Sequence, residues 1–386
     1  MHRRQFFRNT TAASLGSFLV SSASTIAPPT TLKPNRLKEG DTIGLITPSR
    51  YLTEEKLRES VENLAKLGFR VKYTENMLVK KGYLGGTDRQ RADDINRMFA
   101  DESVAGIMCA AGGYGTTRLL PYLDYDLIRN NPKVLIGYSD ITGLLYGLHS
   151  QTGLICFHGP MGTSDYNNYT TQYFRQLLIE PQNSFVYQNP ENISEEELVP
   201  LYLQDEEDTT ISTAELITLS PGVAEGTLVG GNLTLVSSMC GTPYDINMRD
   251  KIVFLEDVGE APYRIDRMLT QLLLDPNKLP AAKGVVLGLF TDCETDDEDK
   301  SFSLAHVLYD RLASLGIPVL YGLMFGHIKR NATIPVGIQA QLDADGKKLT
   351  LLEGALENTL PRLHHGVKKR ASIEGGRPEP RCLEAR

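Results

Sequence analysis

The chain has 386 residues, 41% of them hydrophobic and 23% charged, the composition of a soluble globular protein rather than a disordered, fibrous or membrane-spanning one. That length exceeds what one core usually organises, so about two domains of roughly 150 residues each are expected. With 40 basic against 48 acidic residues the net charge is −8, which gives no basic footprint for nucleic acid or anionic lipid and favours small neutral or zwitterionic ligands.

The chain opens with Arg3 and Arg4, then Phe6 and Phe7, followed by a modestly apolar stretch over residues 12–23 that ends in small residues. This pattern reads as a twin-arginine export signal within a leader of residues 1–35, with the periplasm as destination and the cytoplasm as the alternative. The stretch is too short and too rich in Ser and Thr to span a bilayer stably. No cysteine precedes Cys109, so a lipid anchor is not indicated.

From Thr42 the rhythm changes. Thr42-Ile43-Gly44-Leu45-Ile46 reads as a buried strand, and Leu57, Val61, Leu64 and Leu67 recur at helical spacing before Gly68 closes the helix. The runs 104–108 and 134–136 are further short apolar strands, each followed by a glycine-containing turn and a helical pattern. Repeated βα units predict a parallel sheet flanked by helices over residues 36–182, with sites at the carboxyl ends of strands. Residues 183–220, acidic and without period, read as a connector. A smaller α/β domain over residues 221–360 follows, with strands at 252–255, 284–289 and 318–321 and short strands between 333 and 352. The mixed-charge, Gly- and Pro-containing tail, 361–386, is expected to be disordered.

In the segment Val134-Leu135-Ile136-Gly137-Tyr138-Ser139-Asp140 a strand runs into a helical pattern, which puts Ser139 on a strand-to-helix turn. Such a turn can be a nucleophile elbow, exposing the hydroxyl beside a backbone N–H suited to an oxyanion; equally, Ser139 could cap the next helix. The turn Gly112-Gly113-Tyr114-Gly115 would let backbone amides approach a ligand, but it matches neither dinucleotide nor phosphate-loop spacing. A nucleophilic serine needs a histidine base oriented by a carboxylate. Of seven histidines, His158 and His327 follow predicted strands outside helices and tail. Glu256 ends the apolar run 252–255, with Asp257 beside it. The five cysteines have no metal-ligand spacing and read as small core residues.

Taken together, Gly112-Gly113-Tyr114-Gly115, Gly137-Tyr138-Ser139-Asp140, Gly230-Gly231-Asn232-Leu233, Leu255-Glu256-Asp257 and Phe325-Gly326-His327 resemble, in order and spacing, the serine LD-carboxypeptidase family. The segments Gly86-Thr87-Asp88-Arg89-Gln90-Arg91, His158-Gly159-Pro160-Met161 and 262–269 extend the likeness across residues 43 to 354. The resemblance implies a flavodoxin-like N-terminal domain carrying the nucleophile and a C-terminal domain supplying glutamate and histidine across a cleft, often in a homodimer. It further implies Ser139, Glu256 and His327 as catalytic triad, the amides of Gly113 and Asp140 as oxyanion hole, and Gly112, Tyr114 and His158 as substrate contacts, with no metal or organic cofactor. The implied reaction is release of a terminal D-amino acid from a murein tetrapeptide. The alternatives are an amidase acting on a peptidyl-nucleotide, like the related microcin C self-immunity protein, and a catalytically silent muropeptide-binding protein. One departure is Ala111, where relatives that act on murein tetrapeptides often carry Arg.

Overall fold

The computed structural model describes residues 30–190, 200–202, 210–212, 216–295, 300–357 and 383–385. The twin-arginine segment lies outside them. The N-terminal half alternates as expected: β1 (Thr42–Ile46), α1 (Glu54–Lys66), β2 (Arg70–Tyr73), α2 (Asp88–Ala100), β3 (Gly106–Cys109), α3 (Tyr125–Asn130), β4 (Val134–Gly137), α4 (Ile141–Thr152), β5 (Cys156–His158) and α5 (Asn168–Leu178). Every residue of β3 and β4 is buried, which is why they read as unbroken apolar runs rather than alternating ones. β3 begins two residues later than its apolar run because the Val104 N–H donates to Asp101 O in a turn. Helix α2 starts with a capping box, in which the Thr87 and Gln90 side chains serve each other's backbone N–H groups.

The second half holds β6 (Phe185–Tyr187), β7 (Pro200–Tyr202), β8 (Thr210–Ser212), β9 (Ile217–Ser220), β10 (Val223–Asn232), α6 (Leu233–Ser238), β11 (Lys251–Val258) and α7 (Pro262–Leu274). It continues with β12 (Gly284–Thr291), α8 (Leu304–Leu312), β13 (Val319–Tyr321), β14 (Ile334–Val336), β15 (Ile338–Asp343), β16 (Lys348–Leu351) and β17 (Leu383–Ala385).

In the first sheet the order is β14-β5-β4-β3-β1-β2-β17. Its parallel part, 2-1-3-4-5, is the flavodoxin-like order, whose switch point between β1 and β3 opens a crevice at the carboxyl ends of the strands. The second sheet runs β6-β16-β15-β10-β11-β12-β13-β9, with β10 to β13 parallel and antiparallel strands outside them.

Three features differ from the sequence reading. The connector is not structureless, because its two ends, β6 and β9, form the two edges of the second sheet. The halves also interlock, since β14, from the C-terminal half, pairs antiparallel with β5 of the first sheet, Ile334 opposite His158. Finally, Leu383–Ala385 of the tail pairs with β2, where an open sheet edge offers unpaired N–H and C=O groups.

Candidate active site

Ser139 has φ +66, a left-handed conformation that a residue with a β-carbon adopts only where its surroundings enforce it. The enforcement is visible. Gly137 and Gly112 leave room for the turn: a methyl on Gly137 would meet Ile141 at 2.9 Å, and one on Gly112 would lie 2.9 Å from Ser139 Cβ. Ser139 does not cap α4; the cap position is Asp140, and no side chain bonds the helix start. Of the two readings open in the sequence, the geometry is that of the elbow.

The buried Asp140 ties the surrounding loops to that elbow. Its Oδ2 accepts from Ser49 Oγ at 2.7 Å and from Thr116 N–H at 3.0 Å, and its backbone carbonyl accepts from Thr116 Oγ1. Arg91, only 1% exposed, donates to the carbonyls of Pro48 and Gly115 and pairs with Asp88 at 2.6 Å. The loop after β1 and the glycine turn after β3 are thereby fixed beside Ser139. Neither the Gly113 nor the Asp140 N–H donates a hydrogen bond among the described residues, so both remain available to a ligand.

Glu256 and His327 come from the other sheet. Glu256 sits on β11, completely buried, where the register with β12 shifts between Leu255 and Asp257. That irregularity lets the 325–327 loop pack onto Gly288, where a methyl would meet Phe325 O at 2.6 Å. Gly326, at φ +111, passes so close to Glu256 that a methyl there would lie 2.7 Å from Oε2. His327 Nδ1 then meets Glu256 Oε2 at 2.7 Å, leaving Nε2 for other partners. The loop is also pinned to the first domain: the Asn331 N–H donates to Thr170 Oγ1 and Asn167 Nδ2 to Lys329 O.

Burial would lower the basicity of His327, but the charge of Glu256 and its hydrogen bond outweigh it and hold the imidazole above the ordinary histidine range. Burial likewise favours a protonated Glu256, and the neighbouring His327 reverses this, holding the carboxyl below the usual range. Asp257 is engaged elsewhere: it accepts from Asn232 Nδ2, from Thr234 N–H and Oγ, and from Val258 N–H.

Tyr138, next to Ser139 in the chain, stands edge-on to the His327 ring at 5.0 Å between centroids. Ser139 Oγ carries no hydrogen bond among the described residues. Gly112 backs the elbow. Tyr114 is exposed and edge-on to Tyr83 at 5.7 Å, on a groove of about 630 Å³ that Gly113 also lines.

His158 departs from its expected role as a substrate contact. It has no exposed surface, being packed among Tyr138, Phe254 and Phe325, and it backs Glu256 with Nε2 4.0 Å from Oε1. Burial drives its pKa down to about 4, which keeps the ring neutral, and neither ring nitrogen nor Glu256 Oε1 has a hydrogen-bond partner among the described residues.

Sequence reasoning missed Ser49, Thr116 and Arg91 as braces. The one available signal was the capping-box pattern Thr87 to Gln90, which fixes the helix from which Arg91 points inward. Among the described residues no cluster of His, Cys, Asp or Glu could hold a metal ion, and burial pushes the thiols of Cys109, Cys156, Cys240 and Cys293 up. No helix among these residues is long and apolar enough to cross a membrane.

A strand-to-helix turn on one α/β domain, touching through Tyr138 a histidine–carboxylate pair on a second, defines a two-domain α/β architecture. The chain belongs to the serine-type LD-carboxypeptidase family, matching its N-terminal domain over residues 43–159 and its C-terminal domain over residues 225–342. It is 39% identical over 333 residues to a Bacillus subtilis protein named "probable murein peptide carboxypeptidase", an alignment covering 85% of this chain and 97% of that one. Among solved structures it resembles MccF in complex with glutamyl sulfamoyl guanosine (TM-score 0.74, 28% identity, 84% of this chain and 100% of the other). It also resembles the muramoyltetrapeptide carboxypeptidase of Oxalobacter formigenes (TM-score 0.64, 30% identity, 80% and 97%).

Proposed function

We propose that the protein hydrolyses the amide bond between the L-configured centre of a diamino acid and a terminal D-alanine of a murein tetrapeptide, with Ser139, His327 and Glu256 as triad. The observation that supports this reading is the positive φ of Ser139, one residue from the Tyr138 ring that packs on an imidazole whose Nδ1 is already held by a buried carboxylate. Ser139 Oγ attacks the scissile carbonyl carbon while His327 Nε2 takes its proton. The negative charge that develops on the carbonyl oxygen is met by the free N–H groups of Gly113 and Asp140. His327 returns the proton to the departing amine of D-alanine, and water, activated by the same imidazole, then cleaves the acyl-enzyme. Glu256 holds the tautomer that presents Nε2 and stabilises the imidazolium. The twin arginines near the start of the chain favour action in the periplasm, where murein peptides are exposed.

The test is mass spectrometry of D-alanine release from a muropeptide digest. Ser139→Ala should keep the fold, judged by circular dichroism, and lose activity by about 10⁴-fold or more. Near-normal turnover in that variant would end the triad reading.

A further inference from the structure

An exopeptidase that removes one terminal residue must meet that residue's carboxylate, whose carbon lies three bonds, about 4 Å at most, from the scissile carbonyl carbon. An isolated carboxylate at that position is costly to desolvate unless a cation receives it. The position before the glycine turn, Ala111, is an apolar residue with 1% exposure and supplies none. A cation must therefore come from another element and reach the space next to the oxyanion amides.

The geometry points to Arg50, on the loop after β1, as the residue that binds the free carboxylate of the substrate's terminal D-residue; this assignment rests on the carboxypeptidase reading above. Arg50 packs directly on the oxyanion turn: a methyl on Gly113 would lie 2.9 Å from Arg50 Cβ and 3.2 Å from its Cγ. The preceding residue, Ser49, is bonded to Asp140 at 2.7 Å, so the same contacts that fix the elbow fix the root of the Arg50 side chain. Arg50 is exposed and makes no ion pair or side-chain hydrogen bond among the described residues.

The other cation lining this groove, Lys56, and Lys80, which lies over the lining Tyr51 ring, are both engaged. Lys56 pairs with Glu59 at 2.6 Å, and the Lys80 ammonium lies 4.1 Å over the Tyr51 ring. The field of Arg50 also reaches across the elbow: burial and Glu256 push the Tyr138 hydroxyl up, and Arg50 opposes them. A guanidinium there matches a carboxylate with two parallel N–H donors, which a lysine cannot do. The site would thus select chains ending in a free carboxylate and discriminate against capped or longer peptides.

The experiment compares kcat/KM for a murein tetrapeptide ending in D-alanine with that for the same peptide ending in D-alanine amide, in the wild type, Arg50→Ala and Arg50→Lys. The wild type should favour the free acid by roughly 10- to 100-fold. In Arg50→Ala that preference should collapse towards unity, through a higher KM for the acid at similar kcat, as expected when binding common to ground and transition states is lost. Arg50→Lys should recover part of it. A wild-type preference that survives Arg50→Ala overturns the assignment, as does a wild type that hydrolyses acid and amide equally. If the wild type cleaves neither peptide, the carboxypeptidase reading itself fails.

Discussion

Glu256 has no exposed surface, yet its environment keeps it ionised, and the consequence falls on its neighbour. Its carboxylate raises the pKa of His327 above the ordinary value of about 6.5. In the proposed mechanism a protonated imidazole cannot accept the Ser139 proton, so activity should fall as pH drops through the folded pKa of His327. The acid limb of kcat/KM should therefore have its midpoint above about 6.5. Glu256→Gln removes the charge that raises it, so the limb should move to lower pH while the plateau drops by roughly 10⁴-fold, because the tautomer is no longer fixed. A pH profile of both proteins checks this, and a limb that stays in place would mean that Glu256 does not govern the base. The residues of this site were legible as chemical types at the ends of strands. Their mutual placement was not, because Glu256 meets His327, and His327 meets Tyr138 of the first domain, through contacts that no local pattern encodes. His158 shows the limit from the other side: its place after a strand suggested access to ligand, whereas a ring of aromatics from both sheets seals it.

At the scale of elements, the glycines of β10 explain how the second domain meets the first. Gly230 and Gly231 have φ of +149 and +146; a methyl on Gly230 would collide with Phe254 O, and one on Gly231 would come within 2.6 Å of Thr142 Cγ2 on α4. Thr142 lies three residues after Ser139, and its Oγ1 accepts from the Asn232 N–H at 3.1 Å. The Gly-Gly-Asn segment thus presses on the first turn of the helix that follows the elbow. Gly231→Ala should destabilise the protein by about 1–3 kcal/mol through backbone strain and lower kcat as well, since α4 and Ser139 must shift together. Thermal melts and steady-state kinetics check both; loss of stability with unchanged kcat would show that the contact is purely structural. The motif was visible in the sequence as one segment of the family resemblance, Gly230-Gly231-Asn232-Leu233, but its partner, ninety residues upstream at Thr142, was not.

For the whole molecule, the βα rhythm up to residue 182 and the apolar runs of the second half specified the two sheets, because buried parallel strands leave continuous hydrophobic runs. What escaped was exchange between the halves. β14 is only three residues long, too short to carry a periodicity of its own, and sequence order assigns it to the second domain although it closes the edge of the first. A fragment of residues 30–190 would therefore expose the β5 edge together with the apolar surface that meets the second domain, and it should aggregate when expressed alone. Co-expression with residues 200–357 should restore a soluble complex. Size-exclusion chromatography decides the matter, and a monomeric, cooperatively melting fragment would show that the halves fold independently.

The same strand exchange sets a clock on synthesis. His158 must wait for Ile334, its partner across the sheet, and the 334 − 158 = 176 residues between them take about 10 to 35 seconds to emerge at ribosomal speeds of roughly 5–20 residues per second. Throughout that interval the nascent N-terminal half carries an unpaired strand edge next to the serine turn, a template for pairing with any neighbouring chain. Whatever covers this edge during that interval limits such pairing before the finished site exists.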